Sequence, residues 1–129
     1  MLVSAQFPRT QCMETIRESG KMLINDQRLE SALTKLAQTD EPVARLHADV
    51  ERAEFKAKAV KDAIFLRSEG SVAERQAIAG THPDYTIAME SYFLSLQTHD
   101  AMKNERSREV LIIDVWRSLS SARTKGLIQ

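Results

Sequence analysis

The feature that most constrains this fold is an unbroken helical spacing of apolar residues in the middle of the chain. Apolar side chains recur every three or four residues over 43–64, at Val43, Leu46, Val50, Ala53, Ala57, Val60 and Ile64. Because an α-helix turns once in about 3.6 residues, this spacing puts all of them on one face. From Leu46 onward the pattern is a heptad repeat, typical of a coiled coil, and it predicts a partner helix packed along its length.

The rest of the chain favours helices as well. No segment alternates β-branched or aromatic residues with polar ones over the length of a strand. Aromatic residues make up only 5% of the chain, so the core has to come mainly from aliphatic side chains and methionine, which suits helix packing. We therefore predict an all-α fold with a single helical domain over residues 1–129.

Glycine, proline and capping residues set the predicted boundaries of the first two helices. The first helix runs from about Thr10 to Gln38, with a bend near residues 25–26 where Asp26 caps the second piece. The second starts at Asp40-Glu41-Pro42, because proline is tolerated in a first helical turn, and it covers about residues 41–69. Gly70 suits the left-handed position that follows a helix.

Two further helices follow. Ser71-Val72-Ala73-Glu74 has the capping-box pattern and starts a short connecting helix, which Gly80 ends. The last helix covers about residues 83–125, which is unusually long for a small globular domain. Helices of this length are typical of hairpins and oligomeric bundles.

Two patterns favour folding the helices over 41–69 and 83–125 into one antiparallel hairpin. An apolar stripe on the last helix matches the stripe over 43–64, and residues 55–67, locally +3, face residues 71–100, locally −3. The predicted pairs are Ile64 with Met89, Val60 with Tyr92, and Ala57 with Leu96.

A basic run on the second helix is the candidate nucleic-acid-binding site. Its members are Lys56, Lys58, Lys61 and Arg67, with Phe55 or Phe65 as a surface on which bases stack. The alternative is a solvated helix face, since Glu54 lies four residues before Lys58 and pairs with it there.

The last helix contains a candidate oligomer interface. Residues 110–116 are apolar on nearly every side, which predicts burial against more than one neighbour and makes Val110, Ile113 and Trp116 the interface candidates. His99, Lys103 and Arg106 interrupt the apolar stripe. Either the stripe leaves the core there, or a partner chain supplies carboxylates.

No catalytic signature is present in the sequence. The three histidines, His47, His82 and His99, lack ligand partners at metal-binding spacing, and Cys12 is the only cysteine. No phosphate-binding glycine loop or serine-nucleophile motif occurs. The longest apolar run is far shorter than a membrane span, and no secretory signal is evident. We expect a non-enzymatic cytoplasmic protein without metal or cofactor and without membrane contact.

Short sequence patches resemble a family. The end of the second helix at Glu69-Gly70, the segment Val72-Ala73-Glu74-Arg75-Gln76-Ala77 and the segment Val115-Trp116-Arg117-Ser118-Leu119 look like small helical proteins that bacteriophages encode beside recombination genes. Over residues 41–129 the layout is similar to that of the recombination mediators of T-even phages, which form rings and load recombinase onto single-stranded DNA. The resemblance implies a homo-oligomer in the host cytoplasm that binds single-stranded DNA through its basic helix and cooperates with a recombination protein. The open alternative is an interaction or assembly adaptor with no nucleic-acid contact.

Overall fold

The fold is described by a computed structural model, which covers residues 24–126. These residues form three helices, α1 (Asp26–Arg67), α2 (Val72–Thr81) and α3 (Pro83–Thr124), and contain no strand. The all-α prediction is therefore confirmed. The predicted helix from Thr10 lies outside the described residues as far as residue 23. No helix within residues 24–126 combines the length and the apolar character that crossing a membrane requires.

Helix α1 begins where the sequence predicts a second helical piece, and a side chain caps it. The Oδ1 atom of Asn25 accepts a hydrogen bond of 2.7 Å from the backbone N–H of Arg28. This bond satisfies one of the donors that a helix leaves unpaired in its first turn. A helix boundary therefore lies where the sequence predicts a bend or break near residues 25–26, but the capping residue is Asn25 and not Asp26.

Helix α1 continues through Pro42, so the predicted break between residues 38 and 41 is wrong. Proline removes one helical hydrogen bond and crowds the carbonyl group four residues earlier, that of Gln38. Gln38 is exposed, so this turn of α1 faces the solvent, and water can take the place of the lost helical hydrogen bond. On the side before the proline, the Arg106 side chain donates a hydrogen bond of 2.6 Å to Thr39, which holds this turn against α3.

The connection between the long helices is short, and residues close to each other in the sequence cap the helix α2 within it. The backbone N–H of Glu74 donates to the Ser71 hydroxyl at 3.2 Å, so the predicted cap of α2 is confirmed. Gly70 has φ of +117°, a conformation that favours glycine. Gly80 does not end α2. The helix ends at Thr81, because His82 precedes Pro83 and adopts the extended backbone that a proline imposes on the residue before it.

The chain divides into two compact units. We call residues 37–107 the hairpin unit, and residues 24–36 together with 108–126 the terminal unit. In the hairpin unit α1 and α3 run antiparallel with α2 between them, and Val50, Ala57 and Ile64 of the predicted stripe are buried. The helical hairpin is confirmed, although α1 begins well before residue 41.

The helices of the hairpin unit pair in a different register from the predicted one. The rings of His47 and His99 lie 5.4 Å apart, and the Lys61 ammonium group lies 5.3 Å from the centre of the Tyr85 ring. In this register Ala57 lies level with Met89, seven residues before its predicted partner Leu96. The predicted pairing is wrong by one heptad, about 10 Å along the helix axis.

The terminal unit contains one buried charged residue, Glu109, whose exposed fraction is only 5%. Its carboxylate accepts two hydrogen bonds from the Arg28 guanidinium, of 2.8 and 3.0 Å. The Lys35 ammonium group lies 3.8 Å away. A paired arginine–carboxylate contact of this kind fixes the orientation of both side chains as well as stabilising them.

The contact with Arg28 also changes the acidity of Glu109. The hydrogen bonds from Arg28 lower the pKa of the Glu109 carboxyl, and this effect outweighs the opposite effect of burial. The same bonds raise the pKa of Arg28. Because the folded state favours the ionised carboxylate, the contact stabilises the fold above the pKa of an unperturbed glutamate, about 4.3. This stabilisation is lost as the pH falls through the folded-state pKa.

Replacing Glu109 with glutamine is expected to destabilise the protein by about 1–3 kcal/mol at pH 7. The amide retains one acceptor for Arg28 but loses the charge that strengthens both hydrogen bonds. Urea denaturation followed by circular dichroism at 222 nm measures the loss.

Asp114→Asn is the matched control. Asp114 lies 3.9 Å from Arg117 with both side chains exposed, so the substitution is expected to change stability by less than about 0.5 kcal/mol. The difference between wild type and Glu109→Gln should shrink below about pH 4, where the carboxyl takes up its proton. Equal denaturation midpoints at pH 7 would contradict the structural role of Glu109.

The register is expected to be visible in cross-linking. In a Cys12→Ser chain that carries His47→Cys and His99→Cys, a short cross-linker with two thiol-reactive groups should join the two cysteines, since the two rings are in contact. The matched control joins His47 to Arg106, the pair that the predicted register brings together. Peptide mass spectrometry of the two products distinguishes the registers, and a higher yield for the control pair would refute the observed one.

Candidate interaction surface

The basic run predicted to bind nucleic acid is largely engaged with the chain itself. Lys58 lies 3.3 Å from Glu54, as the solvated-face alternative expects, and Lys61 lies over the Tyr85 ring. Arg67 lies 3.7 Å from Asp84 of α3. These are exposed contacts of modest strength, which a ligand is able to displace.

The four basic residues do not share one face of α1. Successive residues are about 100° apart around a helix axis, so Lys56 and Arg67, eleven residues apart, point within about 20° of each other. Lys58 and Lys61 point about 160° and 140° away from Lys56, in opposite senses around the helix. The basic run is therefore divided between different sides of the helix.

Lys56 and Arg67 border an open groove between α1 and α3 of the hairpin unit, with a volume of about 470 Å³. We call it the α1–α3 groove. Most of the lining side chains are small or apolar, namely Ala53, Val60, Ala63 and Ile64 from α1, and Ile87, Ala88 and Ser91 from α3. Asp84 of α3 is the acidic member of the lining. The groove is an apolar trough with charged groups along its edges.

Large apolar side chains of the hairpin unit are exposed on both long helices. Ile87 is 68% exposed and Leu94 is 65% exposed; seven residues apart, they lie on the same side of α3. On α1, Phe55 and Leu66 are also exposed, and their spacing of eleven residues again places them on one side. The exposed apolar residues thus form stripes rather than isolated positions.

The polar residues that interrupt the stripe of α3 find partners in the same chain. Arg106 donates to Thr39 and lies 3.5 Å from Asp40, so α1 of the same chain supplies a carboxylate here, which was one of the roles open to a partner chain. His99 packs against His47 and lies 3.1 Å from Asp100, while Lys103 is exposed. No buried side-chain nitrogen or oxygen within residues 24–126 lacks a hydrogen-bond partner.

His47 and His99 lie side by side, whereas His82 lies at the start of α3. His47 lies 3.2 Å from Glu51, and the Nδ1 atom of His82 accepts the backbone N–H of Asp84 at the start of α3. No cluster of three or more side chains suited to hold a metal ion occurs in the described part of the chain.

The predicted oligomer interface lies in the terminal unit. Val110 is 47% exposed, whereas Ile113 and Trp116 are half-buried. The apolar stripe predicted for α3 includes Val110, whereas the structure exposes Val110 and buries the neighbouring Glu109. A spacing of three and four residues backward from Trp116 passes through Ile113 to Glu109, so the helical spacing contains a signal for the burial of Glu109.

Comparison with protein families, with curated proteins and with solved structures gives no match to this chain. The resemblance to phage recombination proteins therefore stays a prediction.

Proposed function

We propose that this chain is a non-enzymatic assembly adaptor that binds other protein chains through the exposed apolar stripes of its helices. The observation that carries the proposal is the balance between buried and exposed apolar residues. Within residues 24–126 six apolar side chains are buried, and four of them are alanine or valine, while eleven large apolar side chains are exposed. Exposed stripes of this kind mark interaction surfaces when their members lie on one face.

The spacing of the exposed residues supports binding by a helix. Ile87 and Leu94 are two turns apart on one side of α3, and the α1–α3 groove runs beside them. An amphipathic helix recognises such a surface by inserting its own apolar side chains at spacings of three, four and seven residues. Few large side chains fill the core, so burying these residues in a complex adds apolar contact that the isolated chain lacks.

A second exposed surface in the terminal unit supports association by another route. Val110, Leu111 and Val115 are exposed on α3, adjoining the half-buried Ile113 and Trp116. Self-association through Val110, Ile113 and Trp116 therefore remains part of the proposal. The adaptor role needs one such surface and is compatible with both.

A photo-cross-linking amino acid at Ser91, which lines the groove, is expected to give discrete protein adducts in the cells that naturally produce this chain. The double variant Ile87→Ser with Leu94→Ser should lose those adducts while keeping its helix content, since both replaced side chains are mostly exposed. Gel mobility and mass spectrometry report the adducts.

The same cross-linking amino acid at Lys58 is the matched control, because Lys58 points away from the groove and pairs only with Glu54. Adducts at Ser91 that match those at Lys58, or that survive the double substitution, would contradict the adaptor proposal.

Single-stranded DNA binding is a second candidate, favoured by one observation. Phe55 is 76% exposed and directly precedes Lys56, so a stacking surface adjoins a basic group that shares its flank with Arg67. Together with the phage resemblance, this arrangement supports a recombination accessory protein. Lys56 and Arg67 share a flank of α1 and Lys58 lies on another side, so we expect the contacts at Lys56 and Arg67.

Binding to a fluorescent single-stranded oligonucleotide is expected to weaken with salt, with a log–log slope of roughly −0.7 for each phosphate neutralised. Lys56→Gln with Arg67→Gln should make the slope shallower by roughly 1.4, whereas Lys58→Gln should leave it unchanged. Fluorescence anisotropy at several salt concentrations measures the slopes. Absence of salt-sensitive binding at low ionic strength would exclude this candidate and leave the adaptor proposal standing.

A further inference from the structure

An eleven-residue repeat runs along α1 in the hairpin unit. Residues 37–47, 48–58 and 59–69 each begin with alanine and have an acidic residue at the fourth position, an apolar residue at the eighth and a basic residue at the ninth. Eleven residues make about three helical turns, so each of these positions returns to nearly the same side of the helix. The repeat therefore places an acidic, an apolar and a basic stripe along α1.

The apolar stripe lies on the side of α1 that is turned away from α3. At about 100° per residue, Ala48, Phe55, Ala59 and Leu66 point within about 40° of one another and about 180° from the buried stripe of this helix. We call this side the outer face of α1. Phe55 is 76% exposed and Leu66 is 75% exposed, the highest fractions among the large apolar side chains of residues 24–126. An exposed apolar stripe of this kind marks an interaction surface.

The two flanks of the outer face carry opposite charge. Glu51 and Asp62 point about 40–60° to one side of its centre, and Lys56 and Arg67 point about 80–100° to the other. All four residues are exposed. In each repeat the base follows the acid by five residues. The same spacing separates the two flanking positions, g and the following e, that pair across a parallel coiled coil.

Arg52 lies near the middle of the outer face, but its side chain extends to the basic flank. Its guanidinium group lies 2.8 Å from Asp49, which points about 60° farther toward that flank, and both side chains are exposed. Phe55 and Ala59 therefore stay accessible beside it.

The charged flanks specify both the partner and its orientation. When two copies are related by a two-fold axis parallel to α1, the acidic flank of each copy meets the basic flank of the other. A two-fold axis perpendicular to α1 makes the helices antiparallel and puts acid against acid and base against base, which is unfavourable. The pattern thus favours the parallel pairing of two identical helices.

We propose that two copies of this chain dimerise through the outer faces of α1, with the two helices parallel and in register. Phe55 and Leu66 of each copy pack against the stripe of the other, where alanine lets the helices approach closely. Glu51 pairs with Lys56 of the partner subunit, and the symmetry repeats this contact. Glu51 lies 3.2 Å from His47 of its own helix, an exposed contact of modest strength that the partner's ammonium group is able to displace.

This dimer goes beyond the proposed adaptor role. The outer face points away from α3, so the dimer leaves the apolar floor of the α1–α3 groove open to another protein. The photo-cross-linked adducts at Ser91 report on the groove and therefore test the adaptor role independently of the dimer.

Sedimentation equilibrium of the full chain at micromolar concentrations tests the dimer, with an expected mass of twice 14.6 kDa. Glu51→Lys alone and Lys56→Glu alone should each weaken the dimer about 10-fold or more, since each variant puts like charges together at both symmetric contacts. An equimolar mixture of the two variants should regain the dimer, because both contacts are then complementary. Glu54→Lys is the matched control and should remain dimeric, since Glu54 points about 120° from the centre of the outer face.

Disulfide cross-linking tests the orientation. In a Cys12→Ser chain, Ala48→Cys and Ala59→Cys, made separately, should each give a disulfide-linked dimer on a non-reducing gel, because each position meets its own copy in a parallel pair in register. An antiparallel pair brings at most one of these positions to the two-fold axis. Glu54→Cys is the control and should not cross-link.

A monomer at all concentrations overturns the inference, and so does a dimer that neither charge variant weakens. Cross-linking at only one of the two alanine positions overturns the parallel orientation. Recovery of the dimer on mixing supports the pairing of Glu51 with Lys56, because a loss of folding in either variant cannot produce it.

Discussion

Two antiparallel helices bury only the stripe along which they face each other, and this limit underlies the rest of the structure. In the hairpin unit that stripe is thin, since Val50, Ala57 and Ile64 are the buried residues that α1 contributes. Side chains farther around each helix stay exposed whatever their hydrophobicity. The apolar stripe at Ile87 and Leu94 is therefore a consequence of the architecture, and the same architecture leaves it accessible to another chain.

The apolar core is too small to select one arrangement of the helices, and electrostatic contacts provide that selectivity. Arg106 connects α3 to Thr39 and Asp40 in the hairpin unit, and Arg28 holds Glu109 in the terminal unit. Contacts of this kind depend on geometry more than burial does, so they select one arrangement among several of similar apolar content.

The predicted register shows how far a heptad pattern determines a structure. Displacing one helix by seven residues leaves the same kinds of residues facing each other, so the apolar stripe alone does not distinguish the predicted pairing from the observed one. Long polar side chains do distinguish them, through His47 beside His99 and Lys61 over Tyr85. Their partners lie far away in sequence, and no local rule identifies them.

The sequence by itself determined the helical class, the short connector, a helix boundary near residues 25–26 and the extent of α3, because spacing, caps and glycine or proline act within a few residues. It also identified the basic residues of α1, but not which of them share a flank with the groove. Only the tertiary structure decided the register, the continuity of α1 through Pro42 and the burial of Glu109. These features depend on contacts between residues that are distant in the sequence, and such contacts override local conformational preferences. A local sequence pattern therefore does not predict them.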